Sequence, residues 1–163
     1  MQIITVDHPR SAVLRRRAKP VGTVTPEVQR IMDEMVRVMR AAPGVGLAAP
    51  QVGIDRRIIV VEYEGKLYQL SDPELVQQEG EEWGREGCLS IPGVFCDLRR
   101  AQRVVVRGKN RRGRGVLIQA EGWLARIFQH EIDHLDGILI TDRVERPEHI
   151  HRVEVAEALE VVG

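Results

Sequence analysis

A chain of 163 residues, 43% hydrophobic and 29% charged, can bury one core without staples and leaves little room for a second domain, so a single domain over residues 1–163 is expected. Lys and Arg together number 24, as do Asp and Glu; the near-zero net charge argues against a dedicated nucleic-acid binder, though not against a local basic patch. No apolar run approaches the roughly 18 residues of a membrane span, and MQIITVDHPR lacks the basic-then-apolar pattern of a secretory signal, so a cytosolic protein with Cys88 and Cys96 reduced is expected.

In chain order, Thr25 can cap a helix that opens on Pro26. Val28, Ile31, Met32, Met35 and Met39 recur at helical spacing and predict a core-facing stripe, and Pro43-Gly44 ends the helix. Arg57 to Tyr63, rich in β-branched residues, predicts a strand that turns at Glu64-Gly65 into a second near Leu67 to Leu70. Val104 to Arg107 and Val116 to Gln119 predict two more strands, joined by GKNRRGRG, which reads as a solvated basic hairpin loop. Gly122 precedes a helix reaching about Leu135, where Asp136-Gly137 stops it; Pro147 is expected to open a last helix along EHIHRVEVAEALEVV. Hairpin-like groups of strands without regular helical alternation predict an α+β fold with antiparallel pairing.

Chemistry concentrates in FQHEIDHLDG, Phe128 to Gly137. On a helix His130 and His134 stand one turn apart, so both imidazoles can reach one ion, with Glu131 placed to take a proton from water at the open position. The same spacing also suits two partly buried polar residues. Apolar Ile127, Phe128, Ile132 and Leu135 surround the pair, and buried histidines need partners. For a third ligand His149, His151, Cys96 and Cys88 are all available. Cys88 is favoured by its setting, REGCLSIPG, where Gly87 allows close backbone approach and Ile91-Pro92-Gly93 suits a fixed turn. A third segment, GVGLAAPQVG, allows close approach at Gly44 and Gly46 and carries one amide, Gln51, able to donate to a developing oxyanion or to be satisfied by its own backbone.

GVGLAAPQ, EGCLS and QHEIDH, in this order, resemble the peptide deformylase family. The resemblance extends to HPRSAVLRRRAKPV, DPEL and HLDGILITDR and spans nearly the whole chain to about Arg143. It implies an α+β fold of mostly antiparallel sheets around a central helix carrying HExxH. It implies a hydrolase that removes the formyl group from the N-terminal formylmethionine of new polypeptides, metal-activated water attacking the formyl carbon. Cys88, His130 and His134 would be the metal ligands and Glu131 the general base and acid. The Leu89 N–H and the Gln51 side-chain amide would hold the formyl oxygen, and Val45, Gly46 and Gly87 would pair with the substrate backbone. The resemblance further implies one divalent ion per chain, Fe(II) with Zn, Ni or Co as substitutes, and a monomer in the bacterial cytoplasm. Its partners would be N-formylmethionyl nascent chains and, transiently, the ribosome, with no stable nucleic acid and no membrane.

Several positions depart from the family pattern. Asp72 stands where Asn is usual, with a structural effect expected. Trp123 and Arg126 replace aliphatic residues and bear on the methionine side-chain pocket; GVFCDLRR after Pro92 is an uncommon version, and the last helix matches weakly. Asp133 fits the family and is expected to orient a basic residue near the site. Two other readings stay open: an HExxH peptidase, whose third ligand is commonly glutamate, and a binding module with a structural ion, which usually takes four protein ligands.

Overall fold

The computed structural model describes residues 1–153. Helix α1, Pro26–Ala41, starts as expected: the Thr25 side chain accepts the Val28 N–H, and Val28, Met32, Met35 and Met39 are buried. It covers strands β1, Gly46–Ala48, and β2, Ile58–Tyr63, through a cluster that includes Leu47, Ile58 and Val60.

Strand β2 turns at Glu64-Gly65, both at positive φ, into β3, Lys66–Glu79. β3 is far longer than the short strand predicted, because it changes partner along its length. Its first half pairs with β2 and its second with β6, Arg103–Lys109, with register shifts between Ser71 and Glu74 and between Leu75 and Gln77. The irregularity carries Asp72 at φ 49°, and its carboxylate accepts the N–H groups of Val21 (2.8 Å) and Gly22 (2.9 Å). That is the structural role expected of Asp72. Strand β7, Gly115–Glu121, completes a sheet of order β1-β2-β3-β6-β7. The basic β6–β7 loop is tied back to α1, where Arg111 forms a two-pronged ion pair with Asp33.

A second sheet has the order β4-β5-β8, from Glu82–Cys88, Ile91–Arg100 and Ile150–Arg152. Every strand pair in both sheets is antiparallel, and a lone parallel bridge joins Lys19 to Arg56. Pro92 and Gly93 lie within β5; the tight turn is Leu89-Ser90 instead of the predicted Ile91-Pro92-Gly93. The last predicted helix is also corrected where the chain is described. Pro147–His149 form a single 3-10 turn, and Ile150–Arg152 pair with β5; the remainder of that predicted helix lies outside the described residues. Tertiary pairing wins over helix propensity here.

Helix α2, Gly122–Leu135, runs between the sheets, with every residue from Ala125 to Leu135 buried. Phe128, Ile127 and Leu135 pack against Ile59, Val61, Leu70 and Val106 of the larger sheet. Gly137 follows at φ 74°, and a β-carbon there would meet the Arg15 backbone at 2.7 Å, so the helix stop requires glycine. Among the described residues no helix is long and apolar enough to cross a membrane.

Candidate metal centre

Two elements that meet only in the folded chain build the site. From α2, His130 and His134 project one above the other, with ring centroids 5.0 Å apart. From the end of β4, a register shift between Gly87 and Cys88 turns the cysteine toward them. Cys88 Sγ lies 3.4 Å from His134 Nε2, and the ligand atoms of Cys88, His130 and His134 all fall within 4.8 Å of one another. All three residues are buried, and theirs is the one such group among the described residues. The other candidates are committed elsewhere. Cys96 is fully buried, its thiol pushed up to about 11, chiefly by burial and then by the Glu86 and Asp97 carboxylates. His151 contacts Asp97 at 2.7 Å and Arg85 at 3.0 Å, and His149 meets the Trp83 ring edge-on.

Glu131 is fully buried, and neither carboxylate oxygen has a hydrogen-bond partner among the described residues. A β-carbon on Gly46 would stand 2.5 Å from Glu131 Oε2, so β1 comes against this carboxylate as closely as glycine alone allows. Burial pushes the Glu131 carboxyl up to about 8; Glu86 adds to this, while His130 and Arg100 oppose it. A thiol and two imidazoles suit a first-row divalent ion, and an orphaned buried carboxylate beside them calls for a water and a cation. The residues present fit such an ion.

The neighbouring loops place the remaining predicted residues close by. Gln51 is fully buried, and its amide is oriented: Oε1 accepts the Ala48 N–H at 2.9 Å, and Nε2 donates to Ser90 Oγ at 3.2 Å and toward Cys88 Sγ at 3.8 Å. The two readings of Gln51 are thus compatible, since the backbone takes the oxygen and the amino group points at the centre. Leu89 packs into the α1 cluster, and a β-carbon on Gly44 would meet its Cδ1 at 2.8 Å. Gly87 is pressed against Phe95, where a β-carbon would stand 2.7 Å from the ring. The Val45 carbonyl accepts the Glu62 N–H. Val45 directly precedes β1, Gly46 opens it, and Gly87 lies in β4; β1 and β4 are edge strands of the two sheets.

Sequence reasoning missed the ionic support behind His130. Glu86 is fully buried and accepts from Arg100 Nε and Nη2 at 2.9 Å, from Arg126 Nη1 at 2.7 Å and from His130 Nδ1 at 2.9 Å. Burial alone would raise the Glu86 carboxyl; Arg100 foremost, with His130, holds it well below the usual carboxylate range. An ionised Glu86 requires His130 to donate from Nδ1, which leaves Nε2 as the ring atom that could meet an ion. Arg100 also donates to Asp133 at 2.6 Å, and Asp133 receives two bonds from Arg143. The orienting role expected of Asp133 is the geometry seen. Glu86 stood within EGCLS, but nothing local in that segment names its partners.

A carboxylate sealed in without a donor, next to a thiol and two imidazoles close enough to share one ion, is the arrangement a metal-dependent hydrolase needs. The profile of the family described as polypeptide deformylase matches residues 1–149. A peptide deformylase of Halothermothrix orenii is 54% identical over 82% of this chain and 88% of that protein. One from Symbiobacterium thermophilum is 49% identical over 98% of this chain and 78% of that protein. The crystal structure of a Synechococcus elongatus peptide deformylase in complex with actinonin superposes with a TM-score of 0.86 at 39% identity, covering 91% of this chain and 81% of that one. The chain belongs to the peptide deformylase family, enzymes that release the N-terminal formyl group in a metal-dependent reaction.

Proposed function

We propose that this chain, acting as one catalytic domain, deformylates N-formylmethionyl nascent peptides through Cys88, His130, His134, Glu131, Gln51 and Leu89. The observation that carries the reading is the buried Cys88–His130–His134 group with the unpartnered Glu131 carboxylate beside it. The three ligands would hold one divalent ion, Fe(II) by family expectation, with Zn, Ni or Co able to replace it. When bound, the ion polarises the formyl carbonyl and makes water acidic enough to attack near neutral pH.

The protein's own groups do the rest. Glu131, buried and basic for a carboxylate, accepts the proton of the attacking water and returns it to the departing amine. The Gln51 amino group, pre-aimed by the bond its oxygen makes to Ala48, and the Leu89 N–H donate to the formyl oxygen as it becomes anionic. Val45, Gly46 and Gly87 offer backbone groups on two sheet edges, suited to an extended peptide added as a strand. Glycine at 46 makes room for the Glu131 carboxylate and glycine at 87 for the Phe95 ring. An upstream cysteine ligand, in place of a glutamate, favours this reading over a peptidase. Three ligands and a free carboxylate favour it over a closed structural site. The protein is read as a cytoplasmic bacterial monomer that meets nascent chains, with ribosome contact at most transient.

The test is incubation of the Ni(II) or Fe(II) form with formyl-Met-Ala-Ser, with formate and free amine measured. Formate release that disappears in Glu131→Gln is expected. Cleavage between Met and Ala without formate would overturn the proposal in favour of a peptidase.

A further inference from the structure

Arg126 stands where the sequence suggested a wall of the methionine pocket, yet its guanidinium is turned inward and is almost wholly enclosed, with 4% side-chain exposure. It lies one helical turn before His130 on α2, so the two side chains share a face. The Glu86 carboxylate spans both, with Oε2 toward Arg126 and Oε1 toward His130. Arg126 makes three further commitments. Nη1 also donates to the Leu98 carbonyl of β5 at 3.2 Å, and Nη2 donates to the Glu82 carbonyl of β4 at 2.7 Å. The guanidinium also lies flat against Gly84, where a β-carbon would come within 2.7 Å of Cζ. One side chain thus ties the metal helix to both strands of the β4–β5 hairpin, and β4 delivers Gly87 and Cys88 to the site.

We infer that Arg126, seated on Gly84, is a positioning residue that sets the β4 hairpin against α2, so that Glu86 orients the His130 ring while Cys88 and Gly87 are held in reach of the ion and the peptide. The inference rests on the deformylase reading for the peptide but not for the ion. Gly84 and Arg126 form a matched pair, since any side chain at 84 displaces the guanidinium. Arg100 already bonds both oxygens of Glu86, so the distinct contribution of Arg126 is the fixed distance between strand and helix. Lysine can supply a charge to Glu86, but it lacks the planar fork that reaches one carboxylate and two carbonyls together.

The experiment compares Arg126→Met, Arg126→Lys and Gly84→Ala with the parent. Co(II) is titrated into each metal-free protein, and the thiolate-to-Co(II) absorption reports affinity and ligand geometry. Thermal unfolding of the metal-free forms and steady-state kinetics on formyl-Met-Ala-Ser complete the set. Arg126→Met is expected to weaken Co(II) binding about 10- to 100-fold and to raise KM more than it lowers kcat of the loaded enzyme. Arg126→Lys should recover part of the Co(II) affinity, and Gly84→Ala should shift it the same way as Arg126→Met. Variants that melt earlier yet bind Co(II) and substrate like the parent would overturn the inference, leaving Arg126 a merely stabilising residue. If Arg126→Met does not fold, parent-like Co(II) affinity in both Arg126→Lys and Gly84→Ala overturns it equally. A parent that binds Co(II) but releases no formate defeats the deformylase reading, while the Co(II) titrations still decide the role of Arg126.

Discussion

Gly46 and Glu131 are packed so closely that a β-carbon on the glycine would stand 2.5 Å from the carboxylate oxygen. The strand edge and the carboxylate therefore occupy one space. Gly46→Ala must push Glu131 aside or move β1. Overpacking of this kind costs about 1–3 kcal/mol, and misplacing a reacting group by an ångström can cost about 10²-fold in rate. Gly46→Ala is expected to retain its metal, lose about 10²-fold in kcat/KM and unfold at lower urea concentration. Metal analysis, kinetics and urea titration check the three parts.

Glu131→Gln removes the proposed proton carrier but keeps the shape. A positioned acid–base group contributes about 10²–10⁴-fold, so kcat should fall by that amount with metal content unchanged. The metal-free variant is expected to melt no earlier than the metal-free parent, because a buried carboxyl without a partner is exchanged for a neutral amide. Calorimetry with chelator present measures this directly.

The two cysteines should separate cleanly. Cys88→Ser is expected to lose most of its bound metal and its formate release, whereas Cys96→Ala should keep both. The Cys96 thiol, pushed up to about 11 and fully buried, is a neutral core residue. Its loss should appear only as about 1–2 kcal/mol of stability from lost burial. Chelation of the parent should abolish turnover, and added Ni(II) or Co(II) should restore it.

Asp97 gives the fold a measurable acid dependence. Its carboxyl is lowered from 3.8 to about 2, first by Arg85 and then by His151, against the effect of burial. A lowered folded-state pKa means stability that is complete above the unfolded value and lost as pH falls from about 4 toward 2. Asp97→Asn should cost about 1 kcal/mol at pH 7 after solvent screening. The gap from the parent should close as pH approaches 2, a convergence that urea titrations across this range would reveal.

Local patterns carried much of the architecture. The capped, Met-lined α1, the Glu64-Gly65 turn, the β6–β7 hairpin and the span of α2 were all legible, because helical period, strand alternation and turn chemistry are near-neighbour properties. The β4–β5 hairpin was not legible. EWGREGC has two glycines and alternating charges in place of an apolar stripe, because its inward residues are Gly84, which makes room for Arg126, and Glu86, which meets a buried Arg100. Strand β3 was underestimated because its pattern breaks where it changes partner at Asp72-Pro73.

At the site the division is similar. His130, Glu131 and His134 could be placed together from the sequence by itself, since four residues make one turn of helix. The candidate for a third ligand could not be chosen that way. Cys88, Cys96, His149 and His151 were all available, and strand register decided which of them stands beside the two histidines. Pairing β4 with β5 set the Gly87–Cys88 irregularity beside α2 and placed Cys96 in the core, while pairing β8 with β5 drew His151 to Asp97. Of the Glu86–Arg126–Arg100–Asp133 support, only Asp133 was anticipated, and its basic partner could not be named beforehand. Each ion pair joins residues far apart in the chain, and burial makes such pairs compulsory only after the fold has brought them together.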